Sequence, residues 1–485
     1  MRFISKRRPR IVILIIGLAA LISVTARIII QFQLGQEIEH YRTFFKNHKD
    51  SLHDIYDPLS IKQIPFETIN ALYETRMADG AGSQQKAIQW DNYAYLSYAT
   101  ELEYLCNTLI LFKRLKQFGT NAKLVALVSR DLVESENSAK QQNTRALMDK
   151  LTEIAPEQVV VKLVDSIVKS GDPTPWSKSL TKLHIFNQTE YGRVIYLDSD
   201  AAVSNNMDEL FFLPPYVRFA APLMYWSLSE TDLQTACKEV RVSEKKAVKL
   251  DNIVKTLNQR VRKQQPIYNH LPGLPNSLCF HSSNVAKEIL DTRRSMSPLL
   301  HFGRGEERAK IEFSSNLMVI NPNSRTFESI VQNLLPKVMN QKGQFDTDLI
   351  NAELYNLKQV IHAQFMLFRK LKTAFIPEVM VLPFAEYGLL TGSICNEKHQ
   401  KLIKNEILGY EAMQTAETET LESLVAKSKY IHYSDFSISK PWFYADFDQL
   451  ECHPGGDDPN EAETCKIWNS VYQGFWQAKQ ICELK

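Results

Sequence analysis

The sequence lacks a charge excess of either sign. Its 57 lysine and arginine residues nearly balance 55 aspartate and glutamate residues over 485 positions, which gives a formal net charge of +2. Beyond the first ten positions the basic residues are dispersed, whereas proteins that bind nucleic acid concentrate positive charge on one face. We therefore expect no nucleic-acid partner.

The sequence also lacks internal repeats and long low-complexity tracts, so neither a repeat architecture nor a largely disordered chain describes it. Hydrophobic residues make up 44% of the chain and aromatic residues 10%. A chain of this length and composition can bury a large core. We expect one large domain or two of medium size.

Cysteine is scarce and scattered. The seven cysteines leave at least one unpaired, and their spacing does not resemble that of a zinc site. Cys452, Cys465 and Cys482 lie near the C-terminus, where a disulfide is expected in an oxidising compartment. The sequence leaves the pairing open. A single glycosylation sequon, Asn187-Gln188-Thr189, is usable only if that loop is exposed.

The chain has one long hydrophobic run, at its N-terminus. Residues Ile11 to Ala26 are apolar, and the run continues beyond Arg27 to Ile30. This length suits a membrane span, whereas it is long for a cleaved signal peptide, and Val24-Thr25-Ala26 is a poor cleavage site. Five basic residues precede the run: Arg2, Lys6, Arg7, Arg8 and Arg10.

The basic flank also predicts an orientation, because positively charged segments stay on the cytosolic side of a membrane. We interpret residues 1–10 as a cytosolic tail and residues 11–30 as a transmembrane anchor. The remaining chain is then lumenal. A single-pass type II protein of this kind is a common arrangement in the Golgi membrane.

Residues 31–86 are polar with isolated apolar positions and predict a stem, followed by a folded lumenal domain over residues 87–485. Within that domain, 93–99 reads as a strand, 102–118 as an amphipathic helix and 123–128 as a strand. This βαβ unit, followed by another Val-rich strand, predicts an α/β fold with parallel strands buried on both faces.

Two aspartates, Asp198 and Asp200, directly follow the apolar strand 193–197. In open α/β sheets, ligands bind at the carboxyl ends of the strands. Carboxylate oxygens suit a hard divalent cation, and such a cation can neutralise a departing diphosphate. An Asp-x-Asp triplet alone is more often a turn or a helix cap, so its context decides the interpretation.

The context is specific. Thr181-Lys182-Leu183-His184 precedes the strand and the acidic pair, and the segment from Ser179 to Val203 resembles the donor site of the glycogenin-like, family 8 class of retaining glycosyltransferases. The resemblance implies a single domain of the GT-A type, with a Rossmann-like, nucleotide-binding mixed sheet. It also implies a nucleotide-sugar donor and a manganese ion, Mn²⁺, held by Asp198 and Asp200.

The resemblance assigns roles to further residues of the donor site. It implies that Lys182 contacts the donor phosphate or sugar, and that Tyr98 and Thr100, at the end of the first strand, receive the nucleobase and ribose. Ser314 and Asn316 lie where the family carries its donor-sugar turn, although serine replaces the usual asparagine at Ser314.

Two later blocks complete the pattern. Asp346 opens a segment similar to the family's Asp-Gln-x-Leu-Leu-Asn, which implies binding of sugar hydroxyls near the reacting carbon. His432 and Lys440-Pro441-Trp442 resemble the closing motif. That resemblance implies His432 as a third metal ligand and Lys440 as a phosphate contact, although the two are spaced further apart than usual.

Within the family, Tyr-Leu-Asp-Ser-Asp-Ala-Ala-Val and the Asp346-x-Asp348 variant resemble a fungal Golgi branch. This resemblance implies retaining transfer of N-acetylglucosamine from UDP-N-acetylglucosamine (UDP-GlcNAc) to the terminal mannose of N-linked glycans. Three alternatives stay open: another donor sugar, a membrane-tethered glycan-binding protein without activity, and a metal phosphohydrolase. The last is disfavoured because no second acidic cluster is visible.

Overall fold

The computed structural model describes residues 7–483 except 82–86, 170, 172–173, 245–249, 293–307, 404–406, 411–419, 435–439 and 457. Most of the predicted cytosolic tail, residues 1–6, therefore lies outside the described residues. The strands are β1 Lys62–Gln63, β2 Tyr93–Ala99, β3 Lys123–Ser129, β4 Val159–Val164, β5 Arg193–Leu197, β6 Ala201–Val203, β7 Phe219–Pro222, β8 Leu317–Ile320, β9 Val379–Leu382, β10 Leu389–Leu390 and β11 Tyr430–His432.

The α-helices up to residue 300 are α1 Arg7–His48, α2 Phe66–Ala81, α3 Leu102–Gln117, α4 Arg130–Val133, α5 Ser138–Ile154, α6 Glu230–Glu244, α7 Leu250–Arg262, α8 Asn276–Cys279 and α9 Val285–Asp291. Those that follow are α10 Ser324–Ser329, α11 Leu335–Met339, α12 Asp346–Leu349, α13 Leu357–Leu371, α14 Phe384–Tyr387, α15 Thr391–Ile394, α16 Glu397–Ile403, α17 Leu421–Lys427 and α18 Pro459–Lys479. A 3₁₀ helix, Pro175–Asn187, carries the Thr-Lys-Leu-His segment.

The main sheet has eight strands in the order β1-β9-β7-β8-β5-β2-β3-β4. Strand β8 runs antiparallel to both of its neighbours, and the other adjacent pairs are parallel. Short apolar strands of this kind require cover on both faces. The predicted fold class, an α/β domain with a mixed sheet of the GT-A type, is confirmed.

Alternate residues of the central strands supply two hydrophobic cores. On β2, Leu96 belongs to the cluster on one face and Tyr95 to the cluster on the other, and both are fully buried. This alternation follows from the two-residue period of a strand. The sheet is therefore sandwiched between layers of helix, and its carboxyl edge is held rigidly.

A second, three-stranded sheet lies beside this edge in the order β10-β11-β6. Strand β6 begins one residue after Asp200, and it pairs antiparallel with β11 so that Ala201 lies opposite His432. The pairing brings residues more than 200 positions apart in sequence to the same place. It is the reason that the end of the chain contributes to the site.

The segment predicted as a stem, residues 31–86, packs against the domain. Strand β1 pairs with β9 at the edge of the main sheet. The C-terminal half of α1 buries Leu34, Ile38 and Phe45 against the body, and Glu37 pairs with Arg369 at 3.0 Å. We therefore propose that the folded body begins well before residue 87.

The first part of α1 is different, because its apolar side chains are exposed from Ile11 to Phe32. The helix is long and apolar enough to cross a membrane. This finding is consistent with the predicted anchor. Asn187, in the glycosylation sequon, is exposed on the surface.

The C-terminal region contains one local disulfide and is joined to the body by a second. Cys452 pairs with Cys465, whereas Cys482 pairs with Cys106 of α3 across a sequence separation of 376 residues. The expected disulfide near the C-terminus is therefore present. The second bond, to a cysteine far upstream, fixes α18 against the helix that follows β2.

Removing the long-range disulfide is expected to be the more destabilising of two matched changes. Closing a longer loop restricts the unfolded chain more, so Cys106→Ala/Cys482→Ala should lower the free energy of unfolding by about 2–4 kcal/mol. Cys452→Ala/Cys465→Ala, which opens a separation of only 13 residues, is the control. Chemical denaturation of both variants measures the difference, and an equal or smaller loss for the first pair would contradict the expectation.

Candidate donor and metal site

The site begins where β5 ends. Strand β5 is fully buried, and the next residue, Asp198, donates its backbone N–H to the carbonyl of Asn316 at 2.8 Å. The Tyr196 hydroxyl donates to one carboxylate oxygen of Asp198. The Tyr430 hydroxyl lies 3.1 Å from the Asp198 carbonyl and 3.0 Å from the Asn316 carbonyl. The turn that presents Asp198 is thus held by hydrogen bonds to Asn316 and to Tyr430.

Asp200 contacts two residues near the end of the chain. Its Oδ1 lies 3.1 Å from Nε2 of His432, and its Oδ2 lies 2.9 Å from Nζ of Lys440. The Tyr433 backbone N–H donates to the Asp200 carbonyl at 3.0 Å, which continues the pairing of β6 with β11. The structure therefore unites the predicted Asp-x-Asp and closing motifs in one cluster.

Lys182 bridges two carboxylates. Its Nζ lies 3.0 Å from Asp198 Oδ2 and 2.8 Å from Asp346 Oδ2; Lys182 and Asp346 are buried, and Asp198 is partly buried. The Ser315 hydroxyl, 3.3 Å from the Lys182 ammonium, donates to Asp346 at 3.1 Å. A buried ammonium between two carboxylates neutralises much of the charge that burial would otherwise disfavour.

The partners set the ionisation of these groups. Burial would raise the pKa of Asp200, but His432 and Lys440 outweigh burial and hold its pKa well below the usual range. Burial also opposes the ionisation of Asp346, yet Lys182 lowers the pKa of that carboxyl. Burial raises the pKa of Asp198, and Lys182 offsets this shift only in part. Asp200 and Asp346 are therefore the firmly anionic groups of the site.

The donor set fits a divalent cation. One ligand atom from each of Asp198, Asp200 and His432 lies within 4.8 Å of the others. Two carboxylates and an imidazole combine hard oxygen and borderline nitrogen ligands, which suits Mn²⁺. Nδ1 of His432 is buried and has no hydrogen-bond partner among the residues that the structure describes. The imidazole therefore has unused coordination capacity.

The predicted nucleotide-binding residues lie next to this cluster. Tyr98, near the end of β2, stacks on Tyr196 with ring centroids 6.3 Å apart. Burial, followed by the charges of Asp198, Asp346 and Asp200, raises the pKa of the Tyr98 phenol, so it stays neutral. Thr100 is buried just before α3. Both residues thus lie at the carboxyl edge of the sheet, as expected.

The two serines of the serine turn make different contacts. Ser315, rather than Ser314, contacts Lys182 and Asp346, because Ser314 donates its backbone N–H to the Pro222 carbonyl and its hydroxyl accepts from the Asn316 N–H. Asn316 contributes its carbonyl to the Asp198 turn. Sequence reasoning missed Ser315, although it lies within the predicted block.

Asp348 does not join the cluster. It pairs with Arg308 at 2.6 Å and accepts the backbone N–H of Phe345 at 2.8 Å, which caps the start of α12. Asn351 accepts from and donates to the backbone of Phe313. These two residues therefore hold the segment in place, while Asp346 alone of the Asp346-x-Asp348 pair contacts Lys182.

Tyr430 was also missed by the sequence analysis, and its hydroxyl provides a test of how the turn is held. Tyr430→Phe removes the donor to the Asp198 and Asn316 carbonyls and should lower the free energy of unfolding by roughly 1–2 kcal/mol. Tyr41→Phe, whose hydroxyl accepts from Lys372 at an exposed position, is the matched control. Thermal unfolding measures both variants, and equal losses would show that Tyr430 does not support the turn.

A mixed α/β sheet with an Asp-x-Asp pair, a histidine and two lysines at its carboxyl edge matches the site expected of a glycosyltransferase, and similarity to known relatives shows that the chain is one. It is 47% identical to glucose N-acetyltransferase 1 of Saccharomyces cerevisiae. The alignment is 490 residues long, gaps included, and covers 99% of this chain and 100% of that protein. The chain belongs to the fungal glucose N-acetyltransferase family.

A second relative is also similar over almost the whole chain. The Candida glabrata protein of the same name is 45% identical over 490 residues, which cover 99% of this chain and 97% of that protein. No protein-family model matches the chain. Among solved structures, the galactosyltransferase LgtC aligns over 80% of this chain and 99% of its own, at 11% identity and a TM-score of 0.31.

Proposed function

We propose that the protein transfers N-acetylglucosamine from UDP-GlcNAc to the terminal mannose of N-linked glycans, with retention of configuration, in the Golgi lumen. The observation that carries the proposal is the convergence of Asp198, Asp200 and His432 with the Lys182–Asp346 pair in one buried cluster. Relatives that are 41–47% identical over almost the whole chain are glucose N-acetyltransferases, which supports the proposed donor sugar.

The proposed roles follow from position. Tyr98 and Thr100 receive the nucleobase and ribose at the end of β2, while Asp198, Asp200 and His432 hold Mn²⁺. When bound, this ion supplies Lewis-acid neutralisation of the diphosphate. Ser314 and Asn316 belong to the turn beside the donor sugar, and Ser315 supplies the contact to Asp346.

The lysines and Asp346 would act on opposite charges during the reaction. The ammonium groups of Lys182 and Lys440 lie beside Asp198 and Asp200, where they can contact the donor phosphates as negative charge builds on the leaving group. The Asp346 carboxylate, held ionised by Lys182, can orient sugar hydroxyls and stabilise positive charge at the reacting carbon.

The membrane topology is part of the proposal. Residues 11–30 would cross the Golgi membrane as a type II anchor, with residues 1–10 in the cytosol and the folded body in the lumen. The two disulfides support an oxidising compartment, because such bonds persist in secretory compartments and are rare in the cytosol.

The test uses the full chain in lipid nanodiscs. UDP or GDP release is measured with a panel of nucleotide sugars and a mannose-terminated N-glycan, with and without Mn²⁺, and the product linkage is determined by NMR. We expect turnover of UDP-GlcNAc that is lost with EDTA, restored by Mn²⁺ and gives an α linkage. Turnover of another sugar would refute the donor, and no turnover with any donor would refute the transferase role.

A further inference from the structure

A cavity of about 230 Å³ lies between the second sheet and helices α3 and α18. Strands β6 and β11 form one wall, and helices α3 and α18 form the others. Ser199, between the two predicted metal ligands, lines it. The cavity is therefore separate from the donor site but shares its supporting strands.

Most of the lining is apolar. Ile110 of α3, Val203 of β6, Ile431 of β11 and Phe475 of α18 contribute side chains to it. Such a surface favours the apolar part of a small molecule over water. An engineered apolar cavity of about 150 Å³ in another protein binds benzene, so this one is large enough for a substituted aromatic ring or a short acyl chain.

Two polar side chains interrupt the apolar lining. Asn107 is only 4% exposed, and its Nδ2 has no hydrogen-bond partner among the described residues. A buried amide donor without a partner is destabilising, and an acceptor on a ligand would remove that cost. Arg114, about two turns further along α3, is half-buried at the same cavity and belongs to no ion pair found in the described part of the chain.

We propose that this cavity binds a small amphipathic carboxylate, with its apolar body between β11 and α18, its anionic head at Arg114 and an acceptor oxygen at Asn107. The binding itself does not depend on the proposed function. Because β6 begins directly after Asp200 and β11 ends at His432, an occupant contacts the strands that position the metal ligands. Occupancy is therefore expected to alter the transfer rate, and this second statement rests on the proposed function.

Gly474 provides a variant that fills the cavity. It lines the cavity from α18, and a Cβ atom placed on it meets no heavy atom within 4 Å. Gly474→Met therefore projects a side chain into the empty volume without a clash at Cβ, and it replaces a poor helix former by a good one. Gln473→Met introduces the same side chain at the neighbouring, exposed position and is the matched control.

The probe is 4-fluorophenylacetate, and its binding to the full chain in nanodiscs is followed by ¹⁹F NMR against empty nanodiscs. We expect saturable binding that is unchanged in Gln473→Met and at least roughly tenfold weaker in Gly474→Met. Arg114→Gln should also weaken binding of the acid by roughly tenfold, while leaving the neutral 4-fluorophenylacetamide unaffected, since only the acid can form a charge-assisted hydrogen bond with Arg114.

Three outcomes would overturn the proposal: no binding above the nanodisc blank, binding that Gly474→Met leaves intact, or equal effects of Arg114→Gln on the acid and the amide. If Gly474→Met does not fold, the smaller substitution Asn107→Ala tests the same cavity. It should also weaken binding of the acid. Since binding is read without turnover, its failure is distinguishable from failure of the proposed transferase activity.

Discussion

Asp200→Asn is expected to lower the rate of sugar transfer by roughly a thousandfold, the scale seen when one preorganised charge-stabilising group is removed. The asparagine side chain is nearly the same size but cannot carry the negative charge that His432 and Lys440 hold in place. A divalent cation loses one of two carboxylate ligands as a result. UDP release at saturating UDP-GlcNAc and acceptor, over a titration of Mn²⁺, measures the loss.

Asp348→Asn is the control for that change. Asp348 lies two residues from Asp346 but contacts Arg308 and the Phe345 N–H, and an asparagine can still accept the latter bond. We expect its transfer rate to stay close to that of the unmodified protein. Equal losses in Asp200→Asn and Asp348→Asn would mean that the acidic pair after β5 is not the donor site.

Lys182→Met is expected to have the largest effect on stability, with a loss of about 3–5 kcal/mol in the free energy of unfolding. The change leaves Asp198 and Asp346 buried and facing each other without the ammonium between them. Transfer is expected to fall as well, because a repelled Asp346 no longer holds its position. Chemical denaturation and UDP release measure the two effects.

A double-mutant cycle separates the pair from the general cost of losing a lysine. In Lys182→Met/Asp346→Asn one of the two unpaired carboxylates is absent, so the double variant should be more stable than Lys182→Met alone. Lys337→Met, which breaks an exposed pair with Glu353, should change stability by less than about 1 kcal/mol. Strict additivity in the cycle would refute the bridge between Lys182 and Asp346.

The sequence was most informative where a local pattern decides the structure. The predicted strands at 93–99, 123–128 and 193–197 match β2, β3 and β5 to within one residue, because continuous apolar runs bounded by polar residues are typical of buried parallel strands. The position of Asp198 and Asp200 at the end of β5 followed from the same pattern. This position can be predicted from the local sequence alone.

Contacts between distant segments could not be predicted in this way. That Ser315 rather than Ser314 meets Lys182 depends on Ser314 being bound to Pro222 in a neighbouring strand. Likewise, Tyr430 reaches the Asp198 turn only through the pairing of β11 with β6. The resemblance to a known family located His432 and Lys440, but their shared contact with Asp200 was visible only in the folded chain.

The segment predicted as a stem shows how an average composition can conceal a local pattern. Residues 31–86 are polar on average, yet Leu34, Ile38 and Phe45 recur at spacings of four and seven, which place them on one helical face. Apolar residues at this helical spacing indicate that one face of the helix packs against another element. An average over the segment conceals it.

The continuity of α1 limits what the enzyme can reach. If residues 11–30 cross the bilayer as proposed, the remaining 18 residues of the helix run on for about 27 Å with no break, fastened along the body by Glu37 and Phe45. The catalytic centre then travels in two dimensions at a constant height above the lipid. Glycoproteins must present their sugars at that height, so selection among acceptors depends on geometry as well as on chemical recognition.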